Sequence, residues 1–250
     1  MNTLPDAVIL CGGAGLRLRA VTGDNPKSMA QVSGRPFLEV LLRQLQRYGF
    51  QRVILAVGFR ATDIQSYFGE DFGGMQLQYS NESSPLGTGG ALSNAARHLR
   101  SRDCLAMNGD SYTDVDLRRL TTAHANSGAD VSLVAVPVDE RGDVGSLVLD
   151  ADDNVVEFAE KERSLFAQHL NAGVYVLSRE LLDEIPRGSA VSLERELFPE
   201  WIRQGRRVKG FVHMGKCVDI GTPERYRTAQ EVLAEVEIAA AGTGNEEYQA

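Results

Sequence analysis

The chain has 250 residues, enough for one well-packed domain with at most a small appendage. Its apolar share of 43% and charged share of 24% are those of an ordinary globular protein, and its formal net charge of −8 argues against general nucleic-acid binding, which favours a basic surface. No apolar run approaches the roughly 20 residues of a membrane span, and the N-terminus carries no basic leader with a long apolar core. Residues 7–10 read as a first strand, and residues 36–48 as a helix with Phe37, Leu38, Leu41, Leu42 and Leu45 at helical spacing, closed by Gly49. Residues 52–57 are a second strand with almost no polar interruption, the pattern of a strand buried on both faces. A short helix over 62–68, a short strand over 76–79 and a helix over 90–99 follow. Residues 104–107 are a strand running into Asn108-Gly109-Asp110. A helix over 116–127 and a strand over 131–136 complete a βαβα rhythm, which predicts an α/β fold with a doubly wound sheet.

After Val138 the rhythm changes. Residues 146–150 and 155–158, separated by Ala-Asp-Asp-Asn, predict a β-hairpin, a local antiparallel excursion placed to cover a substrate. Residues 171–177 are strand, 192–204 helix, 208–213 strand, and a helix runs from Pro223 to about residue 240 before a polar, frayed end. This divides the chain into one domain over 1–230, with an excursion over about 139–175, and a helix end and tail over 231–250. Cys11, Cys104 and Cys217 are far apart and form no C-x-x-C pair, so no disulfide framework or zinc site is expected, and a reducing, cytoplasmic location fits.

Five segments carry candidate chemistry. In the first, the strand at 7–10 ends in Gly12, Gly13 and Gly15, followed by Arg17 and Lys27. Bared backbone amides form an anion-binding concavity, a guanidinium forks onto phosphate oxygens, and an ammonium acts as a point charge. The loop lacks the Gly-Lys-Ser/Thr of a Walker A motif, and Leu18 stands where a dinucleotide fingerprint needs its third glycine. The second segment, 82–91, is Gly-rich and reads as a close backbone approach to a base or ribose, or as a helix start capped by Thr88. In the third, Asp110 lies just past a buried strand, where open α/β sheets bind ligands; beside phosphates it reads as a Mg²⁺ ligand, otherwise as a surface turn. In the fourth, Asp219 precedes a turn and a helix start at Thr222-Pro223, in a comparable strand-end setting. The fifth pairs Glu160 and Lys161 with Asn171, suited to sugar hydroxyls and a second anion, against the plainer reading of a solvated charge cluster. The four histidines show no ligand spacing and read as structural or exposed.

In order, GGAGLRL, PKSMA, GRPFLE, PLGTGGAL, NGD, EFAEK, NAG and DIGTPE resemble the sugar-1-phosphate nucleotidyltransferases over residues 6–230. Within that family CGG-x-G-x-RLR and NGDSYTDVDL are most similar to the D-glycero-D-manno-heptose 1-phosphate guanylyltransferases. The resemblance implies a Rossmann-like mixed, mainly parallel sheet covered by helices on both faces, with a small antiparallel β-excursion over the site. It implies that Leu10, Gly12, Gly13, Gly15, Glu82 and Gly87 bind the nucleoside triphosphate, GTP being favoured. Arg17, Lys27 and Asp110 would be catalytic, and Asp110 with Asp219 would hold Mg²⁺. Gly145, Glu160, Lys161, Asn171 and Glu194 would line the sugar 1-phosphate. Mannose 1-phosphate with GTP, a glucose or amino-sugar phosphate with UTP or dTTP, and a non-catalytic nucleotide-sugar-binding regulator are the competing readings. One departure stands out: Leu16 occupies the place where the family usually has Thr before the arginine. The chain ends soon after DIGTPE, so no appended acyltransferase or isomerase activity is expected. A homo-oligomer stays open, and neither a nucleic-acid nor a membrane partner is expected.

Overall fold

The apolar runs become neighbouring strands. In the computed structural model, which describes residues 3–139, 145–160 and 165–243, the strands in chain order are β1 (Asp6–Leu10), β2 (Gln31–Val32), β3 (Arg35–Pro36), β4 (Arg52–Val57), β5 (Asp71–Phe72), β6 (Met75–Asn81), β7 (Asp103–Asn108), β8 (Ser111–Thr113), β9 (Val131–Pro137), β10 (Ser146–Leu149), β11 (Val155–Ala159), β12 (His169–Ser178), β13 (Val208–Val212) and β14 (Cys217–Asp219). The main sheet runs β11-β10-β12-β7-β1-β4-β6-β5, with β9 paired to β12 and β13 beside β9. β1 is parallel to β4 and β7, β4 to β6, and β9 to β13, while β12 runs antiparallel to β7 and β9.

Alternation along each central strand splits the core in two. Ala7, Ile9, Val53, Leu55, Leu105 and Met107 face the helices Phe37–Arg47, Leu117–Ser127 and Pro223–Thr243. Val8, Ile54, Ala56, Cys104 and Ala106 face Gly87–Ala96 and the segment 181–201. This is why the runs show no polar interruption: both faces are covered. In Phe37–Arg47 the five apolar positions named above are all fully buried. At about 2 kcal/mol each their burial is worth on the order of 10 kcal/mol before entropy, so packing rather than propensity fixes this helix.

Two of the predicted helices are placed or built differently. The helix placed at 90–99 starts three residues earlier, at Gly87, and ends at Ala96. The helix placed at 192–204 is a π-helical turn, Leu193–Leu197, followed by an α-helix, Phe198–Arg203. The predicted hairpin forms, with β10 antiparallel to β11, and it is joined to the main sheet because Ser146 and Leu147 pair with Leu170 and His169 of β12. The C-terminal helix buries Leu233 and packs Val232 and Val236 against the same core, so it folds back on its own domain. Among the described residues no helix is long and apolar enough to cross a membrane.

Candidate active site

From β1 the chain proceeds to β4 on one side, and only later reaches β7 on the other. The strand order therefore reverses between β1 and β7, and the crevice beyond their C-terminal ends is where open α/β sheets bind ligands. Leu10 and Asn108 pair at those ends, and Gly109 N donates to Leu10 O at 2.9 Å. The glycine loop and Asn108-Gly109-Asp110 are thus brought side by side by the sheet itself.

A second, two-stranded sheet completes one wall. β14 pairs antiparallel with β8, placing Asp219 opposite Ser111, and Ile220 N donates to Asp110 O at 2.9 Å. Two aspartates more than a hundred residues apart in sequence therefore line one cavity of about 180 Å³. Each already has a cationic partner: Lys27 Nζ lies 2.6 Å from Asp110 Oδ2, and Arg225 Nη1 lies 3.4 Å from Asp219 Oδ2. Desolvation alone would raise the Asp110 pKa, but the Lys27 ammonium and its hydrogen bond, with that from Ser111, more than offset this and hold it below its ordinary value.

The same cavity is lined by Arg17, Gly145, Glu160, Asn171 and Glu194. Glu160 is set by the β10–β11 pairing; a Cβ at Gly145 would come within 3.0 Å of its Oε2 and 2.9 Å of the Phe158 ring. Asn171 is aimed by an irregularity in β12, whose register against β9 shifts between Asn171 and Tyr175. Gly173 sits in that irregularity with φ +73°, and a Cβ there would come within 2.8 Å of the Asn108 amide nitrogen. Lys161 lies outside the described residues.

A second cavity, of about 310 Å³, is lined by Leu10, Gly12, Gly13, Glu82 and Gly87. Glu82 Oε2 accepts from Leu86 N at 3.1 Å, and its Oε1 would lie 2.8 Å from a Cβ at Gly12. Burial raises the Glu82 pKa, opposed in part by that Leu86 hydrogen bond. Asn108 and Asp110 line both cavities, so the two spaces meet at the end of β7.

The glycines do different work from one another. A Cβ at Gly13 would meet nothing, so only this loop glycine leaves open space for a ligand. Gly12 is pressed by Glu82 and Gly58, and Gly15 by Lys27, whose Cβ a substituent would reach at 2.6 Å. Gly15 lies on the wall of neither cavity. In the second segment, Gly89 and Gly90 face Val191, Leu197 and Ser189, while Gly87 and Thr88 line the second cavity. Thr88 does not cap its helix: its hydroxyl donates to Glu194 at 2.6 Å and accepts from Leu193 N at 2.8 Å. Thr222 does act as a cap, accepting from Arg225 N at 3.3 Å. The sequence analysis gives no role to Asn108, Arg225 or Tyr175; Arg225 reaches Asp219 six residues back across the turn, and Tyr175 reaches Asn171 four residues back along β12 and Glu194 beyond it.

Residues 6–236 match the family described as Nucleotidyl transferase. The chain belongs to the nucleotidyl transferase family. It is 39% identical over 223 residues to the mannose-1-phosphate guanylyltransferase of Mycobacterium tuberculosis, covering 88% of this chain but only 62% of that protein's length. It is 34% identical to the D-glycero-alpha-D-manno-heptose 1-phosphate guanylyltransferase of Aneurinibacillus thermoaerophilus, covering 91% of this chain and 98% of that one. Among solved structures, HddC from Yersinia pseudotuberculosis in complex with GMP-PN superposes with a TM-score of 0.80 at 34% identity, covering 92% of this chain and all of that one. Family membership accords with the mixed sheet and with the place of the two cavities at its switch point.

Proposed function

We propose that this chain transfers a nucleotidyl group, GMP from GTP by preference, to a sugar 1-phosphate, with D-glycero-D-manno-heptose 1-phosphate favoured and mannose 1-phosphate the alternative. The observation that carries this reading is the meeting of two cavities at Asn108 and Asp110, one walled by glycines and Glu82, the other by cations and sugar-compatible polar groups. An anomeric phosphate oxygen attacks the α-phosphorus of the triphosphate, the new P–O bond forms, the α–β bridging bond breaks, and pyrophosphate leaves. The attacking oxygen is ionised near neutral pH, so the reaction needs no general base. It needs two polyanions held in line and their repulsion offset. Arg17 and Lys27 supply fixed positive charge beside that junction. Asn108, a neutral amide whose Oδ1 is buried with no partner among the described residues, lies at the joint without adding charge.

Asp110 and Asp219 fit Mg²⁺: both are hard oxygen donors on one wall, and Mg²⁺ is commonly held by one or two carboxylates plus substrate phosphates. Among the described residues no group of three or more His, Cys, Asp or Glu converges, so the ion would be completed by phosphate and water. When bound it neutralises phosphate charge. Lys27 and Arg225 hold the two carboxylates until then. A reducing, cytoplasmic setting would keep the three thiols reduced, Cys11 and Cys104 buried and Cys217 half-buried.

Glu82 gives the preference for guanine a physical basis. Guanine presents two adjacent donors, N1–H and the 2-amino group, to a carboxylate, whereas uracil and thymine present one donor between two carbonyls. Glu82→Gln is expected to raise the KM for GTP at least about tenfold and to narrow the preference for GTP over UTP. Steady-state kinetics with both nucleotides measure this; an unchanged GTP/UTP ratio would remove Glu82 from base selection. The activity itself is tested by pyrophosphate release over a matrix of nucleoside triphosphates and sugar 1-phosphates with Mg²⁺. Turnover with GTP and a manno-configured sugar phosphate is expected. Tight nucleotide-sugar binding without turnover for any pair would leave a binding protein in its place.

A further inference from the structure

Resting on the activity proposed above, we infer that Thr88, on the wall of the nucleotide-side cavity, is a positioning residue for the sugar phosphate. Its hydroxyl has one proton to donate and spends it on Glu194 Oε2, 2.6 Å away. Ser192 Oγ donates to the same oxygen at 3.1 Å, and Tyr175 OH donates to Glu194 Oε1 at 3.3 Å. Tyr175 in turn accepts from Asn171 Nδ2 at 2.7 Å, and Asn171 Oδ1 accepts from Gly173 N at 3.1 Å. All of these groups are buried or half-buried, and Glu194 and Asn171 both line the sugar-side cavity.

A carboxylate offers about four acceptor positions. Among the described residues, three on Glu194 are filled by protein hydroxyls, two on Oε2 and one on Oε1. The remaining position is on Oε1, so Glu194 is set to accept from a single sugar hydroxyl in a fixed direction. Thr88, with the shorter of the two bonds to the other oxygen, sets that direction together with Ser192.

The backbone explains why a residue of the nucleotide-side helix does this. Val191 N donates to Leu86 O, and Val191 O accepts from Gly89 N and Gly90 N at 2.9 and 3.2 Å. A Cβ at Gly87, Gly89 or Gly90 would strike Val191 O, Leu197 or Ser189 O at 2.6 Å or less. The segment bearing Glu194 is therefore seated on the first turn of Gly87–Ala96, and the glycines serve that seat. The π-helical turn Leu193–Leu197, a geometry frequent at functional sites, places Glu194 within reach of Thr88. The two substrate cavities thus share one rigid joint besides the end of β7.

The test is a comparison of Thr88→Val, Thr88→Ser and Ser192→Ala with the wild-type chain, by steady-state kinetics and by calorimetric titration with mannose 1-phosphate and with D-glycero-D-manno-heptose 1-phosphate. Valine keeps the shape but leaves Glu194 Oε2 and Leu193 N–H each short of a partner; serine keeps both bonds. Thr88→Val is expected to raise the KM and Kd of the sugar phosphate at least about tenfold while the KM for GTP stays within about twofold. Thr88→Ser is expected to restore the wild-type values. Ser192→Ala, which leaves the nucleotide cavity untouched, should shift sugar binding in the same direction by less, and it carries the test if the valine variant does not fold. An unchanged sugar-phosphate KM in the valine or alanine variant, a GTP KM that rises as much as that of the sugar, or a serine variant that behaves like valine would overturn the inference. A wild-type chain that neither turns over nor binds either sugar phosphate would instead overturn the proposed activity, and the inference with it.

Discussion

Arg17→Ala is expected to lower kcat at least about a hundredfold while shifting the melting temperature by no more than about two degrees. Arg17 is exposed, in the one-turn 3₁₀ segment Leu16–Leu18, where only Leu18 reaches the core. Little folding free energy depends on it. In the proposed reaction its guanidinium stands beside the junction where charge builds on the oxygen leaving the α-phosphorus. Removing one aimed donor of that kind typically costs about 3 kcal/mol of barrier, and each 1.4 kcal/mol is about tenfold. Because the charge develops in the transition state, the loss should fall on kcat more than on either KM. Arg17→Lys should recover part of the rate, since an ammonium supplies charge without the fork. Stopped-assay pyrophosphate kinetics together with a thermal melt separate these outcomes. A variant within threefold or so of wild type would remove Arg17 from the mechanism.

Asp110→Asn is expected to cost at least about a hundredfold in turnover as well, by a different route. It removes the carboxylate common to both cavities and leaves the Lys27 ammonium without its partner. The half-exposed setting of Asp110 limits the stability effect, because water and salt screen the pair. Its sign with pH is nevertheless fixed. The folded chain holds the Asp110 pKa below its ordinary value, so the pair stabilises the fold at pH above the usual carboxylate range. That contribution is lost as pH falls through the depressed value. The difference in melting temperature between wild type and Asp110→Asn should therefore shrink toward zero on acidification. A difference that grows in acid, or wild-type turnover at neutral pH, would refute the assignment.

The parallel core was legible because Ala7–Leu10 and Arg52–Val57 carry apolar side chains on both faces, a pattern few other architectures produce. What periodicity could not show was which strands meet. β12 lies antiparallel between β7 and β9, and the hairpin β10–β11 extends that same sheet, because pairing depends on partners distant in sequence. The candidate site follows the same division. Gly12, Gly13, Glu82 and Gly87, taken from separate motifs, line one cavity, Arg17, Lys27, Asp219, Glu160, Asn171 and Glu194 line the other, and Asp110 lines both. The work of Gly15, Gly89 and Gly90 was hidden: a glycine needed for packing reads the same as one needed for a ligand. Only the atoms a Cβ would strike tell them apart. Thr88 was ambiguous for a similar reason, since a hydroxyl at a helix start suits a cap equally well, and its partner Glu194 lies 106 residues on.

The most direct test is a crystal structure of this chain with a GDP-sugar product and Mg²⁺. The account predicts guanine against Glu82, the sugar against Glu160, Asn171 and Glu194, and the diphosphate crossing the joint between the cavities beside Asn108 and Asp110. A product with its diphosphate away from Asp110, or with base and sugar in a single cavity, would contradict it.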